Sequence, residues 1–217
     1  MARKTRETSP PAPADASFAE LLAPYDRVAL LLQGGGALGA YHVGVYEALH
    51  AAGIEPTWIS GVSIGAINTA IIAGNPPEKR LERLTEFWDR ITRNDPLDAL
   101  AAFDPFGAFE IFRPLQNQVS GLTAMTFGQP GFFRPRVPNP WFRARGSEGA
   151  TSFYDTSALK STLEELVDFD RLNDGPMRVS VGAVDVESGN FVWFDSKDGP
   201  NHTRIDLRHV MASGALP

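Results

Sequence analysis

A serine between two glycines is the residue in this sequence best suited to nucleophilic chemistry. Residues 61–66 read GVSIGA, which places Ser63 between Gly61 and Gly65 in a G-x-S-x-G pattern. Such a serine is exposed at a sharp strand-to-helix turn whose flanking positions have no room for side chains. The helix that follows directs the positive end of its dipole at the place where an oxyanion develops. Ser63 is therefore a candidate nucleophile for acyl transfer.

A second glycine-rich stretch precedes the first and is suited to holding an oxyanion. Residues 30–44 read LLLQGGGALGAYHVG, with Gly34, Gly35 and Gly36 in succession after an apolar run. Acyl transfer needs backbone N–H donors aimed at the developing negative charge, and these glycines can supply them. Because the carboxyl ends of parallel strands meet at one edge of a sheet, we expect this loop to lie beside Ser63.

Two other interpretations of the same glycines have to be weighed. Gly34, Gly36 and Gly39 satisfy the dinucleotide pattern G-x-G-x-x-G, which also needs an acidic residue after the second strand. Glu55 comes before the second predicted strand, so this pattern is incomplete, and no Gly-Lys-Ser/Thr completes a P-loop. The remaining alternative is a pair of tight turns with close helix packing, although three consecutive glycines are more than a turn requires.

A serine nucleophile needs a group that takes its proton, and the histidines are weak candidates for that role. The order Ser63, Asp185, His209 matches the chain order of α/β-hydrolases. His209, however, falls inside a predicted helix, and we expect it to be a surface or capping residue. We expect His50 to lie at a helix end and Asp185 to cap a strand end or bind backbone.

The elements that would position the glycines and Ser63 follow the order β-α-β-α. The apolar run at 27–33 predicts a strand buried on both faces, and residues 57–60 predict a second strand. Residues 64–74 are apolar almost all round, which predicts a buried helix. Between the strands a helix is predicted to end at Gly53. Its apolar side chains at helical spacing are Leu38, Tyr41, Val45, Tyr46 and Leu49. This order implies a parallel sheet with helices packed on it.

Further helices and a hairpin are predicted in the rest of the chain. Residues 77–93 form an amphipathic helix, and residues 154–169 form another that Asp155 or Thr156 caps. Strands within 177–186 and 190–196 are joined through a turn at ESG, and a last helix starts at Leu207.

Residues 95–151 differ from the rest because they are rich in proline, glycine, aromatic residues and arginine. We expect this segment to form a cap or insertion near the substrate. For Phe103 to Phe112, packing in a small second core is favoured over contact with lipid. For Phe132 to Arg145, core packing and contact with an acyl chain or a lipid surface are equally favoured, since arginine can also bind phosphate.

Length and composition limit the class of protein. The 217 residues fit one domain over 25–217, preceded by a disordered leader at 1–24 that lacks a secretory signal. A formal charge of −6 argues against a nucleic-acid partner. The absence of cysteine excludes disulfides and thiolate metal sites and favours a reducing compartment such as the cytoplasm. No run of about 18 apolar residues is present to form a transmembrane helix.

Three stretches together resemble the patatin-like phospholipases, particularly the bacterial members: GGGALGAYHVGVYEAL, GVSIGAINTAIIAGN and VMASGALP. The resemblance runs from Val28 to Pro217. It implies a three-layer α/β/α fold with a mainly parallel sheet, and a Ser–Asp dyad without histidine. It also implies lipid acyl hydrolysis with no metal or cofactor, and it is compatible with peripheral membrane contact. Carried over by position, Ser63 is the nucleophile and Gly34, Gly35 and Gly36 line the oxyanion hole.

The sequence departs from the family pattern at two places. Leu38 stands where many members have arginine, which removes a charge near the oxyanion site. The catalytic aspartate of the family lies in an Asp-Gly-Gly or Asp-Gly-Ala motif shortly after the ASGALP equivalent. Here Asp174-Gly175 and Asp198-Gly199 both precede that point. We therefore expect a chain truncated before its general-base aspartate, with a catalytically inactive lipid-binding protein as the alternative.

Overall fold

The computed structural model describes residues 21–22, 24–92, 126, 128–197 and 199–215. Nearly all of the predicted leader and the phenylalanines from Phe103 to Phe112 lie outside the described residues. In the described part of the chain, no helix combines the length and apolar character needed to cross a membrane.

The described chain alternates strands and helices. The strands are β1 (Ala29–Leu32), β2 (Trp58–Val62), β3 (Arg134–Pro135), β4 (Tyr154–Asp155), β5 (Arg178–Val184) and β6 (Phe191–Asp195). The α-helices are α1 (Tyr41–Ala51), α2 (Ile64–Ala73), α3 (Pro77–Thr92), α4 (Ser157–Leu166), α5 (Phe169–Asp174) and α6 (Leu207–Ser213).

The main sheet has the strand order β1-β2-β5-β6. The first three strands are parallel, and β6 runs antiparallel to β5. Helices flank the sheet, so the predicted α/β fold with a mainly parallel sheet is confirmed. Leu32 pairs with Gly61, and Val62 pairs with Gly182. The ends of β1 and β2 therefore lie side by side, and the loops after them meet at one edge of the sheet.

Helix α2 forms the centre of the core, as its apolar sequence predicts. All ten of its residues are buried, and it contacts the three parallel strands as well as α3 and α6. Ile67, Ile71 and Ile72 are each fully buried, and complete burial of such a side chain contributes about 1.5–3 kcal/mol. The helix that follows Ser63 is consequently held on every side.

The prediction that β1 is buried on both faces is wrong. Leu32 is 3% exposed, but Leu31 is 76% exposed. Successive side chains of a strand point to opposite faces, and the helical core covers only the face that carries Leu30 and Leu32. An unbroken apolar run does not reveal this difference between its two faces.

The apolar positions predicted to line the first helix are also mostly wrong. Leu38, Tyr41 and Val45 are exposed, whereas His42 and Tyr46 are buried. The chain first forms a 3₁₀ helix over Gly36–Ala40 and becomes α-helical only at Tyr41, which rotates the buried face away from the predicted one. The predicted stop is confirmed, since Gly53 follows the helix with φ of +71°.

Among the later elements, the amphipathic helix, the last helix and the hairpin agree with their predictions. The helix predicted over residues 154–169 is shorter, and α5, β3 and β4 were not predicted. The amphipathic helix α3 spans Pro77–Thr92, and α6 starts at Leu207. Helix α4 begins at Ser157, whose N–H donates to Asp155 Oδ1 over 2.9 Å. This hydrogen bond holds the pKa of Asp155 below its usual range. Strands β5 and β6 form the predicted hairpin.

The described part of the aromatic segment divides between core packing and exposure. Phe132 packs against the core, with its ring centroid 6.4 Å from that of Phe87. Trp141 and Phe142, in a short 3₁₀ helix, are 81% and 82% exposed. Core packing, one of the two interpretations that the sequence left open, therefore holds for Phe132 but not for Trp141 and Phe142.

Candidate active site

Ser63 occupies a strained turn between β2 and α2. Its φ is 56° and its ψ is −126°, and it is the one non-glycine residue with positive φ in the described chain. Backbone conformations of this kind cost about 1–3 kcal/mol and cluster at functional sites. The carbonyl of Ser63 accepts from Ala66 N–H over 2.9 Å, but its side chain makes no capping hydrogen bond. The hydroxyl is therefore not used to start the helix.

The glycines on either side of Ser63 are required sterically. A Cβ atom on Gly65 would lie 2.0 Å from the carbonyl oxygen of Leu32. One on Gly61 would lie 2.2 Å from the carbonyl oxygen of Gly65. Contacts this short cannot form, so β1, the turn and the first turn of α2 pack closely only because both positions lack side chains.

The glycine loop after β1 lies against Ser63. A Cβ atom on Gly34 would be 3.3 Å from Ser63 Cβ and 4.0 Å from Ser63 Oγ. Gly35 and Gly36 have φ of 141° and 57°, which favour glycine. Further along, a Cβ atom on Gly39 would be 2.6 Å from Ile64 Cγ1. The structure thus brings the predicted loop and the predicted nucleophile together.

The amides of this loop are available to a ligand. Within the described residues, no backbone or side-chain group accepts a hydrogen bond from the N–H of Gly34, Gly35 or Gly36. The loop is held instead by Leu38 N–H, which donates to the carbonyl of Gly35 over 3.2 Å. Gly36 faces open space, because a Cβ atom there would meet nothing within 4 Å.

A buried polar network supports the end of the glycine loop. Asn68 Nδ2 donates to the carbonyl of Gly39 over 3.0 Å and to His42 Nδ1 over 2.9 Å. Trp88 Nε1 donates to Asn68 Oδ1 over 3.1 Å. Burial lowers the pKa of His42, which favours the neutral ring whose Nδ1 can accept. The network joins α2, α3 and the start of α1 directly behind the loop.

Ser213 contacts the backbone of Ser63, a contact that the sequence did not predict. The N–H of Ser63 donates to Ser213 Oγ over 2.8 Å, and that hydroxyl donates to the carbonyl of Gly182. Ser213 lies at the end of α6, within the ASGALP stretch. The only signal for it in the sequence was its place in that motif.

The structure places His209 and His50 in structural roles. Asp206 N–H donates to His209 Nδ1 over 3.0 Å, which forms part of a capping box at the start of α6. The ring of His209 also packs on Phe194, with 4.5 Å between centroids. His50, in the last turn of α1, is 2.7 Å from Glu55 Oε1. The expected capping and helix-end roles are confirmed.

Asp185 is likewise occupied by backbone groups. Its Oδ1 accepts from Glu187 N–H over 2.9 Å, and this bond holds the pKa of the carboxyl below its usual range. The prediction that Asp185 binds backbone is confirmed. Among the described residues, no carboxylate or histidine hydrogen-bonds to Ser63 Oγ. The same part of the chain has no group of three or more His, Asp or Glu side chains that could hold a metal ion.

Comparisons with known proteins find one matching family model and several partial relatives. The family model described as patatin-like phospholipase matches residues 30–217. Patatin-like phospholipase domain-containing protein 6 of Homo sapiens is 38% identical over 61 residues, or 28% of this chain and 4% of that protein. Triacylglycerol lipase ptl3 of Schizosaccharomyces pombe is 37% identical over 70 residues, or 32% of this chain and 14% of that protein.

A plant protein shows a similar partial likeness. Triacylglycerol lipase SDP1L of Arabidopsis thaliana is 44% identical over 48 residues, or 22% of this chain and 6% of that protein. The chain thus matches only a small part of the length of each of these relatives. No solved structure matches the chain.

Proposed function

This chain belongs to the patatin-like phospholipase family, and we propose that it is a serine lipid acyl hydrolase that acts through Ser63. The observation that carries the proposal is the strained turn at Ser63 with the open amides of Gly34 to Gly36 beside it. Two of the partial relatives are named triacylglycerol lipases. Their names support a fatty-acyl ester as the substrate.

The reaction begins with attack of Ser63 Oγ on the carbonyl carbon of the ester. The carbonyl oxygen becomes an oxyanion, which accepts hydrogen bonds from the amides of Gly34, Gly35 and Gly36. The C–O bond to the alcohol then breaks, and the alcohol leaves with a proton. Water hydrolyses the acyl-enzyme in the second half, which releases the fatty acid and returns the proton to Ser63.

Attack requires a general base for the hydroxyl proton. The family pattern assigns this role to an aspartate that follows the ASGALP equivalent. Among the described residues no carboxylate contacts Ser63 Oγ. The second candidate function is a lipid-binding protein without hydrolase activity. The two candidates differ in one measurable property, turnover that depends on Ser63.

The position of the exposed aromatic residues supports contact with a lipid surface. Trp141 and Phe142 are exposed side by side. Arg143 fixes the backbone beside them, because its Nε and Nη2 donate to the carbonyls of Pro138 and Val137 over 3.0 and 3.3 Å. Residues 128–153 contain four arginines and one glutamate, although the whole chain has a charge of −6. We propose that this local surface meets anionic head groups and interfacial lipid.

Hydrolysis of acyl esters tests the proposal directly. Release of fatty acid from phospholipid vesicles and triacylglycerol emulsions would be compared for the full-length wild type, Ser63→Ala and a control variant, Ser188→Ala, whose serine lies in the exposed β5–β6 turn. We expect Ser63→Ala to fall to the uncatalysed rate, and Ser188→Ala to keep wild-type turnover. Equal rates for the wild type and Ser63→Ala would reject Ser63 as the nucleophile and favour the binding protein.

A further inference from the structure

We infer that Ser213 is a positioning residue for the nucleophile, and that its hydroxyl sets the backbone geometry of Ser63. This inference rests on the proposed function, because positioning matters only if Ser63 reacts. The two hydrogen bonds described above form a chain from the Ser63 N–H through Ser213 Oγ to the carbonyl of Gly182. The hydroxyl therefore acts as acceptor and donor at once.

The Ser213 hydroxyl lies between two backbone groups, the Ser63 N–H and the Gly182 carbonyl, that would otherwise hydrogen-bond to each other in the sheet. In two paired parallel strands, every second residue of one strand forms two backbone hydrogen bonds. These go to the residues just before and just after its partner on the other strand. Arg178 pairs with Trp58, and its N–H donates to the carbonyl of Thr57 over 2.9 Å. The same alternation along β5 assigns the carbonyl of Gly182 as the acceptor for Ser63 N–H.

Ser213 Oγ thus replaces a direct bond between β2 and β5 with a longer bridge. The N–H of Ser63 lies between the last residue of β2 and the first of α2, so the helix cannot supply an acceptor for it. A buried donor without a partner costs about 1–3 kcal/mol. That cost is similar to the strain of the Ser63 backbone, about 1–3 kcal/mol. The bridge therefore decides whether the strained conformation persists.

Helix α6 holds Ser213 at this position. Its first turn is fixed by the capping box of Asp206 and His209. Its C-terminal end packs on α2, where a Cβ atom on Gly214 would lie 4.0 Å from Ile67 Cδ1. The helix also packs against β5. The orientation of the nucleophile therefore depends on an element far along the chain.

Removal of the hydroxyl has a defined structural consequence. In Ser213→Ala, the Ser63 N–H either moves toward the carbonyl of Gly182 or bonds to water, and both changes displace the turn. A displacement of about 1 Å at a reacting group can reduce the rate about 100-fold. We expect kcat to fall about 10- to 100-fold and KM to change less than about 2-fold, because Ser213 does not touch the substrate.

A conservative variant and a matched control separate positioning from stability. Ser213→Thr keeps a hydroxyl at the same position and should restore most of kcat. Ser196 is the control, because its Oγ accepts a backbone N–H of β5, that of Val179, over 2.9 Å in a buried site remote from Ser63. Ser196→Ala should reduce the free energy of unfolding as Ser213→Ala does, but keep wild-type kcat.

Hydrogen exchange of the Ser63 amide provides a second readout that needs no turnover. We expect this amide to exchange faster in Ser213→Ala than in the wild type and Ser196→Ala. The inference is overturned if its exchange is unchanged in Ser213→Ala, or if Ser196→Ala lowers kcat equally. A wild type that fails to hydrolyse any ester rejects the proposed function instead, and amide exchange then still decides whether Ser213 holds the turn.

Discussion

At the residue scale, the site depends on positions that cannot carry a side chain. Gly65 lies in the first turn of α2 and faces the carbonyl of Leu32, with which a Cβ atom would overlap at 2.0 Å. Gly44 is also helical, in α1, but a Cβ atom there would meet nothing within 4 Å. The two glycines have the same secondary structure and differ in their surroundings.

Substitution by alanine should therefore have opposite effects at these two positions. We expect Gly65→Ala to lower the free energy of unfolding by about 1–3 kcal/mol or more, because backbone must move to make room. We expect Gly44→Ala to raise it by about 0.5–1 kcal/mol through helix propensity. Chemical denaturation measures both values. A Gly65→Ala variant as stable as the wild type would contradict the close packing of β1 on α2.

At the element scale, the polar network behind the glycine loop should make stability depend on pH. Burial lowers the pKa of His42 in the folded chain below its value of about 6.5 in the unfolded chain. The neutral ring therefore stabilises the fold fully above about pH 6.5. This contribution is lost as the pH falls from there through the lowered folded pKa, because the unfolded chain then binds the proton more readily.

A variant that keeps the acceptor without titrating isolates this effect. In His42→Asn, the new Oδ1 can accept the hydrogen bond that Asn68 donates to Nδ1 of His42. The other hydrogen-bonding partners of Asn68 are the Gly39 carbonyl and the Trp88 indole, which do not titrate. Between about pH 7.5 and pH 5.5, we expect the wild type to lose more free energy of unfolding than His42→Asn. Identical losses would show that His42 does not supply the pH dependence.

The strands of the main sheet and the longer helices could be predicted from the sequence in their order. The short elements β3, β4 and α5 could not, and neither could the buried faces of β1 and α1. The all-apolar α2 and the amphipathic α3 have patterns that hardly depend on their surroundings. In β1 every residue is apolar, so only tertiary packing distinguishes Leu31 from Leu32. In α1 the buried positions include His42, which is tolerated inside because Asn68 satisfies it.

The candidate site was predictable to a similar extent. Gly34 and Ser63 could be paired because parallel strands end at one edge of a sheet. The contact of Ser213 with Ser63 could not be predicted, because the two residues lie 150 positions apart in the sequence and the contact depends on how α6 packs. A single serine near a helix end carries no local signal of such a role.

At the scale of the whole molecule, an acidic protein carries a basic, aromatic surface on residues 128–153. We expect binding to vesicles of phosphatidylcholine and phosphatidylglycerol to weaken at least about 10-fold in a Trp141→Ala, Phe142→Ala double variant, because both exposed rings would enter the interface. Arg145→Ala should weaken binding to the anionic vesicles more than to pure phosphatidylcholine vesicles. Co-sedimentation at two salt concentrations measures both effects.

An exposed apolar residue elsewhere is the control for this surface. Val186, in the turn after β5, is 94% exposed, and Val186→Ala should bind vesicles as the wild type does. A wild type that binds no vesicles, or a double variant with undiminished binding, would contradict the proposed lipid contact. The exposed Trp141 and Phe142 would then indicate a protein partner.

The site of covalent labelling shows directly whether Ser63 is an activated nucleophile. The full-length protein, including the aspartate that the family pattern places after ASGALP, would be treated with a fluorophosphonate, and the modified peptide would be identified by mass spectrometry. We expect one adduct, on Ser63, that forms at the same rate in Ser188→Ala and is absent from Ser63→Ala. An adduct on another serine, or no adduct on the folded wild-type protein, would contradict this expectation.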